Sequence, residues 1–526
     1  MSARTSLVFI AAALVAAPSS LAAQQATAAS SDSLDVLIVH GTVVDGSGNA
    51  PRRADVGVRG DRIVFVGDAS RMHVPTRRTI DATGRFVAPG FIDPHTHLDR
   101  DLARPATREN VGYLTQGVTT VVIGNDGYGP VHVGQELDKL QQGGIGTNVA
   151  GFTGFGTIRG NVLHMSGAAP TDAQLATERA MVDTAMREGA LGISTGLFYP
   201  PQSFAATPEV IELSKVAAQY GGIYDTHLRD ESSYTVGLIG AIDEALRIGR
   251  EAHIPIHVSH IKALGVDVWG KSDSVIKLVE AAHREGMTVT ANQYPYTASG
   301  TSFSASLLPR WAVQGGHDSL EARIANPTEH ARLITDMRDN LRRRGGPKSL
   351  LVTGARDTSL VGKTLADIAA ARHGDPTEVA LDVIQHGGAD VASFNMTDAD
   401  IANFMRQPWV VTGSDGSDGM PRKFGTFPRK LHEYVFTKHV ISLPFAVRNS
   451  SARTAEILHL PQRGLLQAGY FADVIVFDST ITDHATYEKP TLLSTGVDYV
   501  LVNGKLAIDA GKPNGVLAGR ALKRGQ

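Results

Sequence analysis

Val87-Ala-Pro-Gly-Phe-Ile-Asp93-Pro-His95-Thr-His97 is a short apolar run that ends in two histidines two residues apart. Side chains at i and i+2 of an extended chain share a face, so both imidazoles can meet one cation. A surface pair or two hydrogen-bonded core histidines would have the same spacing. The pair gains meaning because the construction recurs. Gly222-Ile-Tyr-Asp-Thr-His227 and Ile254-Pro-Ile-His-Val-Ser-His260 finish apolar runs on histidine, and Trp409-Val-Val-Thr-Gly-Ser-Asp415 finishes one on aspartate.

Working outward, strands are expected to end near Asp93, Asn125, Thr153, Ser194, His227, His260, Tyr294 and Asp415. Each but the last is followed by an amphipathic helical pattern or a long excursion. Eight strands with intervening helices predict an α/β chain built on a (β/α)8 TIM-like barrel, whose strand ends converge on one face. From Leu34 to Ala88 the text changes to β-branched runs broken by turn residues, and similar text returns from Gly469 to Gly504. The two pieces, 34–88 and 461–526, are read as one split small β-sandwich. The catalytic barrel is then 89–460.

Composition narrows the function. Fifty basic residues against 53 acidic leave a formal charge of −3, too even for an obligate nucleic-acid binder. A chain of 526 residues that is 42% hydrophobic can bury a large core. Its cysteine count of zero removes disulfides, thiolate nucleophiles and Cys zinc sites together. The start, Met1-Ser-Ala-Arg4 followed by apolar Leu7–Ala17 and small residues to Ala23, reads as a secretory signal peptide over 1–23, with a linker over 24–33. The expectation is export across the inner membrane to the periplasm, with no stable membrane anchor.

Four histidines and a carboxylate on one barrel rim are costly unless paired or bound to metal. With no thiolate available, imidazole and carboxylate suit Zn²⁺, and also Co²⁺, Mn²⁺ or Fe²⁺. A structural zinc is usually closed by four ligands and often uses Cys, so this set reads as catalytic.

Pro89-Gly-Phe-Ile-Asp-x-His-x-His97, the two later histidine-ending strands, Gly413-Ser-Asp-Gly416 and Gly464-x-Leu-x-x-Gly-x-x-Ala-Asp-Val-Ile-Val-Phe-Asp478 resemble the amidohydrolase superfamily. Within it the chain is most similar to the N-acyl-D-amino-acid deacylases (D-aminoacylases). Gln116-Gly-Val-Thr-Thr-Val-Val, Tyr224-Asp-Thr-His-Leu-Arg-Asp-Glu231, Tyr294-Pro-Tyr296 and Gly425-Thr-Phe-Pro-Arg429 carry that likeness, which runs from about Leu34 to Gly519. It implies that His95, His97 and Asp415 surround one metal position, with His227 and His260 at a second, tighter one. It also implies an inserted subdomain between strands 7 and 8, roughly 302–405, that covers the site.

Two departures stand out. Where the family has a cysteine ligand after Gly-Asn, this chain has Asp126, a harder anion able to bridge one or two ions through its two oxygens. A turn cap is the alternative reading of Asn125-Asp-Gly127. Phe155 replaces a histidine, with altered substrate contacts expected.

The implied chemistry is hydrolysis of the amide of an N-acyl-D-amino acid by a metal-bound hydroxide, with Asp415 as general base. Arg422 matches the family's arginine for the substrate α-carboxylate, and Lys262 and Tyr294 match further contacts to that group. The preference for D substrates follows from the resemblance alone. Alternatives are a dipeptidase or cyclic-amide hydrolase of the same superfamily, and a non-catalytic barrel. The former often use a carboxylated lysine, and Leu191-Gly-Ile-Ser-Thr195 offers no lysine. Asp99, Arg100 and Asp101 are read as partners of the histidine pair or loop surface, and His253, His283 and His386 as surface residues. The basic helix end Asn340-Leu-Arg-Arg-Arg344 is read as dipole complementation and solubility.

Overall fold

The computed structural model describes residues 33–70 and 74–525, so the export segment and nearly all of the linker lie outside the described residues. Among the described residues no helix is long and apolar enough to cross a membrane.

Eight short parallel strands form the barrel: β1 (Phe91–Asp93), β2 (Val118–Ile123), β3 (Asn148–Gly151), β4 (Gly192–Gly196), β5 (Ile223–His227), β6 (Ile256–Val258), β7 (Val289–Gln293) and β8 (Val410–Thr412). Every residue of Val-Thr-Thr-Val-Val-Ile in β2 is buried, as a strand with helices on one side and the barrel interior on the other must be. The first three strands pair in order. The chain runs from β3 into Thr153–Gly154, which pairs with β4, and β4 to β8 follow in order. Asp415 N donates to His95 O at 2.9 Å and Thr96 bridges Gly416, which closes the ring between β8 and β1.

Helices fill the connections. Asp172–Arg187 starts at a capping box in which Thr171 and Gln174 satisfy each other's backbone N–H. Gly237–Ala252 buries Leu238, Ala241, Ile242, Ala245 and Ile248 at helical spacing.

Both ends of the chain enter one nine-stranded sheet. Phe86–Pro89 pairs parallel with Leu34–Val43 and antiparallel with Val474–Thr482. Val36, Ile38, Val56, Ile63, Val474 and Leu501 form an apolar cluster shared by the two arms. Between β7 and β8 an insertion carries its own antiparallel sheet, Ala298–Ser302 beside Ala389–Phe394 beside Leu350–Ala355. Its separate core includes Phe303, Leu333, Met337 and Val391, with Leu333 and Met337 supplied by the helix Pro327–Arg343.

Several strands stop before the sequence suggests: β2 at Ile123, β6 at Val258 and β8 at Thr412. The reason is in the backbone. Asp126, His260 and Asp415 have φ of 56°, 35° and 47°, left-handed values that a ladder cannot continue and that cost non-glycine residues energy. Three of the six predicted ligands are thus delivered by strained turns beyond the strand ends.

Candidate metal centre and substrate cavity

These turns and strand ends bring all six predicted ligands together. The His95 and His97 rings lie 5.3 Å apart, His95 and His260 4.8 Å, and His227 and His260 4.5 Å. Asp126 stands among them: Oδ1 is 3.5 Å from His95 Nε2 and from His260 Nε2, and Oδ2 is 3.5 Å from His97 Nε2. Asp415 Oδ1 lies 3.0 Å from His97 Nε2 and 3.7 Å from His95 Nε2.

This arrangement fits a cation. His95 is fully buried, and among the described residues neither of its ring nitrogens has a hydrogen-bond partner; nor has Asp126 Oδ1. Buried polar atoms left unanswered are expensive, and a metal would answer all three. Donors about 2.0–2.2 Å from one tetrahedral Zn²⁺ lie roughly 3.3–3.6 Å apart, which matches the nitrogen–oxygen separations around Asp126. One donor group able to hold an ion is His95, Asp126, His260 and Asp415. A second is His227, Glu231 and His260.

Glu231 was not among the predicted ligands. It follows His227 by four residues on the loop after β5, and its carboxylate lies 3.2 Å from His260 Nδ1 and 3.8 Å from His227 Nε2. The spacing His227-Leu-Arg-Asp-Glu231 contained a signal, a second carboxylate just past a ligand-bearing strand, but periodicity gave no reason to turn it inward.

The electrostatics follow from burial and crowding. Burial works against charge on Asp126, yet His95 and His260 hold its carboxyl well below the usual range. At Asp415 burial is outweighed by Arg422, His260 and His97, so this carboxyl too is held low. Burial, reinforced by His260 and only partly opposed by Glu231, pushes His227 down to about 4 and keeps the ring neutral, the ligating form. His260 goes the other way, up to about 9, because burial and Lys262 are outweighed by the carboxylates of Glu231, Asp126 and Asp415. Those carboxylates draw positive charge to this spot.

The three predicted substrate contacts converge beside the cluster, but two of them are engaged with it. Lys262 Nζ donates to Glu231 Oε1 at 2.6 Å and lies 2.7 Å from His260 Nδ1. Arg422 donates from Nε to Asp415 O at 2.7 Å and from Nη2 to Asp415 Oδ2 at 2.8 Å. The Tyr294 ring lies between them, 4.7 Å from the Arg422 guanidinium carbon and 5.8 Å from Lys262 Nζ. Two buried donors here, Arg422 Nη1 and Tyr294 Oη, have no partner among the described residues. Both residues line a cavity of about 590 Å³ that reaches the metal cluster, with the insertion supplying the facing wall.

Phe155 lies elsewhere. It opens the helix Phe155–Leu163, is fully buried in the main core and does not line the cavity. Its expected effect on substrate contacts is therefore corrected: an apolar ring fills core space there. His283 is also corrected, since it is half-buried, with Nε2 2.7 Å from Val289 O and its ring 6.1 Å from that of Trp409. Asp101 Oδ2 accepts from Lys423 Nζ at 2.7 Å and plays no part in the cluster.

A closed (β/α)8 barrel whose strand ends gather buried imidazoles and carboxylates into one cavity defines a metal-dependent hydrolase of amide bonds. The chain belongs to the amidohydrolase family, whose model ("Amidohydro_3: Amidohydrolase family") matches residues 78–508. It is similar to the D-aminoacylase of Alcaligenes xylosoxydans xylosoxydans, with 35% identity over 523 residues covering 94% of this chain and 98% of that one. It is 34% identical to the N-acyl-D-aspartate deacylase of the same organism over 520 residues, covering 93% and 95%. A crystal structure of N-acyl-D-glutamate deacylase from Bordetella bronchiseptica, complexed with zinc and a phosphonate inhibitor, superposes with a TM-score of 0.80 at 31% identity, covering 93% and 100%.

Proposed function

We propose that the protein releases free D-amino acids from N-acyl-D-amino acids by metal-dependent hydrolysis of the amide bond. The observation that carries this reading is the adjacency of two sets of unanswered polar atoms. His95 and Asp126 present bare donors suited to a cation, and Arg422 Nη1 and Tyr294 Oη present bare donors suited to a carboxylate. Full-length similarity to deacylases of N-acyl-D-amino acids supports the substrate class and supplies the D preference.

His95, His97 and Asp415 would hold one divalent ion and His227 and His260 a second, with Asp126 able to serve both; Zn²⁺ suits these donors best. Such an ion supplies Lewis acidity for the amide carbonyl and makes water nucleophilic at neutral pH. Arg422 Nη1 and Tyr294 Oη bind the α-carboxylate and fix the amide across the cluster. Asp415 Oδ1, ionised and facing the histidines, accepts a proton from the attacking water as its oxygen bonds to the carbonyl carbon. The same carboxyl then hands that proton to the nitrogen as the carbon–nitrogen bond breaks. A carboxylate and a free amino acid leave. Arg422 holds the opposite oxygen of Asp415, so it orients the base and binds substrate from one guanidinium.

Lys262 is reassigned within this reading. Its ammonium answers Glu231 and sets the His260 ring, and its reach to substrate runs through those partners. The amino-terminal segment supports export to the periplasm, and N-terminal sequencing of protein made in its host would show a start near residue 24. The decisive experiment is amine release from paired N-acetyl-D- and N-acetyl-L-amino acids with and without chelator. Chelator-sensitive hydrolysis of the D series is expected; undiminished hydrolysis by metal-depleted protein would overturn the metal role, and silence on every pair the substrate class.

A further inference from the structure

The wall of the cavity facing the metal cluster carries two arginines that the chemistry above does not use. Arg310 opens the short helix Arg310–Val313 of the insertion. Its guanidinium lies 3.9 Å from the Phe198 ring centre, and that ring is 5.8 Å from the His227 ring. Arg344 follows the helix Pro327–Arg343 and is only 2% exposed, so the solubility reading of this basic helix end does not extend to it, while Arg342 in the last turn is exposed. Its Nε donates to Tyr234 Oη at 2.6 Å, and Tyr234 packs edge-on against Phe198 with ring centres 5.4 Å apart. Both arginines line the same cavity as His227 and Asp415.

Neither arginine has an anionic partner. Among the described residues no carboxylate forms an ion pair with Arg310 or Arg344, although Asp390 and Asp418 line the same cavity. Arg310 Nη2 donates to a carbonyl, Ala305 O, at 3.3 Å. Arg344 Nη1 is buried with no partner among the described residues. Burial pulls Arg310 down to about 10, opposed by the Tyr234 and Tyr199 hydroxyls and by Asp230 and reinforced by Arg344. Asp230 is itself committed to the backbone N–H groups of Ser232, Thr235 and Gly237. Two like charges lining one cavity, with no ion pair to either among the described residues, are unfavourable unless a ligand brings the missing charge. Guanidinium stacked on an aromatic face keeps its N–H edge free for a planar carboxylate.

We propose that Arg310 and Arg344 form a second carboxylate subsite, and that the preferred substrate is an N-acyl amino acid bearing two carboxylates. This rests on the deacylase reading: the α-carboxylate goes to Arg422 and Tyr294, and the second lies across the cavity. It belongs either to an acidic side chain, as in an N-acyl glutamate, or to a dicarboxylic acyl group, as in an N-succinyl amino acid. Both have the chemistry that two guanidinium groups recognise.

The test compares kcat/KM of the full chain for N-acetyl-D-glutamate, N-succinyl-D-leucine and N-acetyl-D-leucine, in wild type and in Arg310→Met, which keeps an apolar stem over Phe198. One of the dicarboxylic substrates should exceed N-acetyl-D-leucine by at least roughly tenfold, and the variant should cut that ratio by at least roughly tenfold. Which one wins identifies the carrier of the second carboxylate. A ratio near one in the wild type, or one unmoved in the variant, overturns the subsite while the deacylase reading stands. If no amide is cleaved, that reading falls and calorimetric binding of the same compounds decides: tighter dicarboxylate binding that Arg310→Met abolishes supports the subsite, and equal binding overturns it. Arg310→Gln is the second variant should Arg310→Met fail to fold.

Discussion

The floor and the facing wall of the cavity obey opposite rules. On the floor, built by the barrel, the charged side chains beside the cluster pair with one another, Asp415 with Arg422 and Glu231 with Lys262, and the bare atoms of His95 and Asp126 are those suited to a cation. On the wall, built largely by the insertion, Arg310 and Arg344 stand over aromatic rings, with no ion pair to a carboxylate among the described residues. The comparison separates two tasks. A floor that balances its own charge holds a fixed geometry for chemistry, whereas a wall that leaves charge unbalanced can tell one substrate from another. Loops and insertions change freely around a barrel, so selectivity can vary there without disturbing the cluster.

The largest effect should come from the floor. Asp415→Asn keeps the size of the side chain and its backbone bond to Arg422 but loses the base, and kcat should fall by about 10²–10⁴. Metal analysis of the same protein should show its ions largely retained; an unchanged kcat would break the assignment. Asp126→Asn should weaken metal binding by about 10–100-fold or more, read by titration against a chelating dye. Asp126→Cys, which restores an anionic ligand, should bind more tightly than the asparagine variant.

Stability measurements sharpen the contrast. Lys262→Met strands the buried Glu231 carboxylate and should cost about 3–5 kcal/mol by denaturant unfolding of metal-depleted protein. Arg310→Met removes a charge that nothing in the protein answers, so it should be neutral or stabilise by about 0.5–2 kcal/mol. Equal losses in both variants would dissolve the distinction between floor and wall.

The smallest effect lies away from the cavity. Glu178 on the helix Asp172–Arg187 is fully buried, neither oxygen has a partner among the described residues, and burial aided by Glu209 pushes its carboxyl up to about 7. Its folded pKa exceeds its unfolded one, so its favourable contribution is complete below the unfolded value and disappears as pH rises through about 7. Glu178→Gln should therefore match wild type near pH 4 and gain in relative stability towards pH 8. A difference independent of pH would show that the carboxyl does not titrate there.

The barrel was legible because short apolar runs of strand length recur with helical text between them, and His227 closes β5 as the spacing suggests. The turns at Asp126, His260 and Asp415 were not, because a left-handed residue leaves no periodic mark. Glu231 and Arg344 show a deeper limit. Each is a charged residue at the end of a polar stretch, which by composition belongs in water. What draws them inward is a set of partners on other segments, His260 and Lys262 for Glu231 and Tyr234 for Arg344, a relation that composition does not carry. The insertion's sheet was equally hidden, since its three strands are separated by helices and pair out of chain order.

The strand Phe86–Pro89 has a consequence for how the molecule comes into being. It is held on one side by the beginning of the described chain and on the other by Val474–Thr482, near the end. Contacts that join such distant segments are slow to form, because the entropy of closing the loop is lost before the contacts repay it. The barrel therefore hangs between the halves of a clasp that cannot shut until almost all of the polypeptide has been synthesised. A ribosome-bound chain lacking its last fifty or so residues would carry every metal ligand and yet leave an open edge beside Phe86–Pro89.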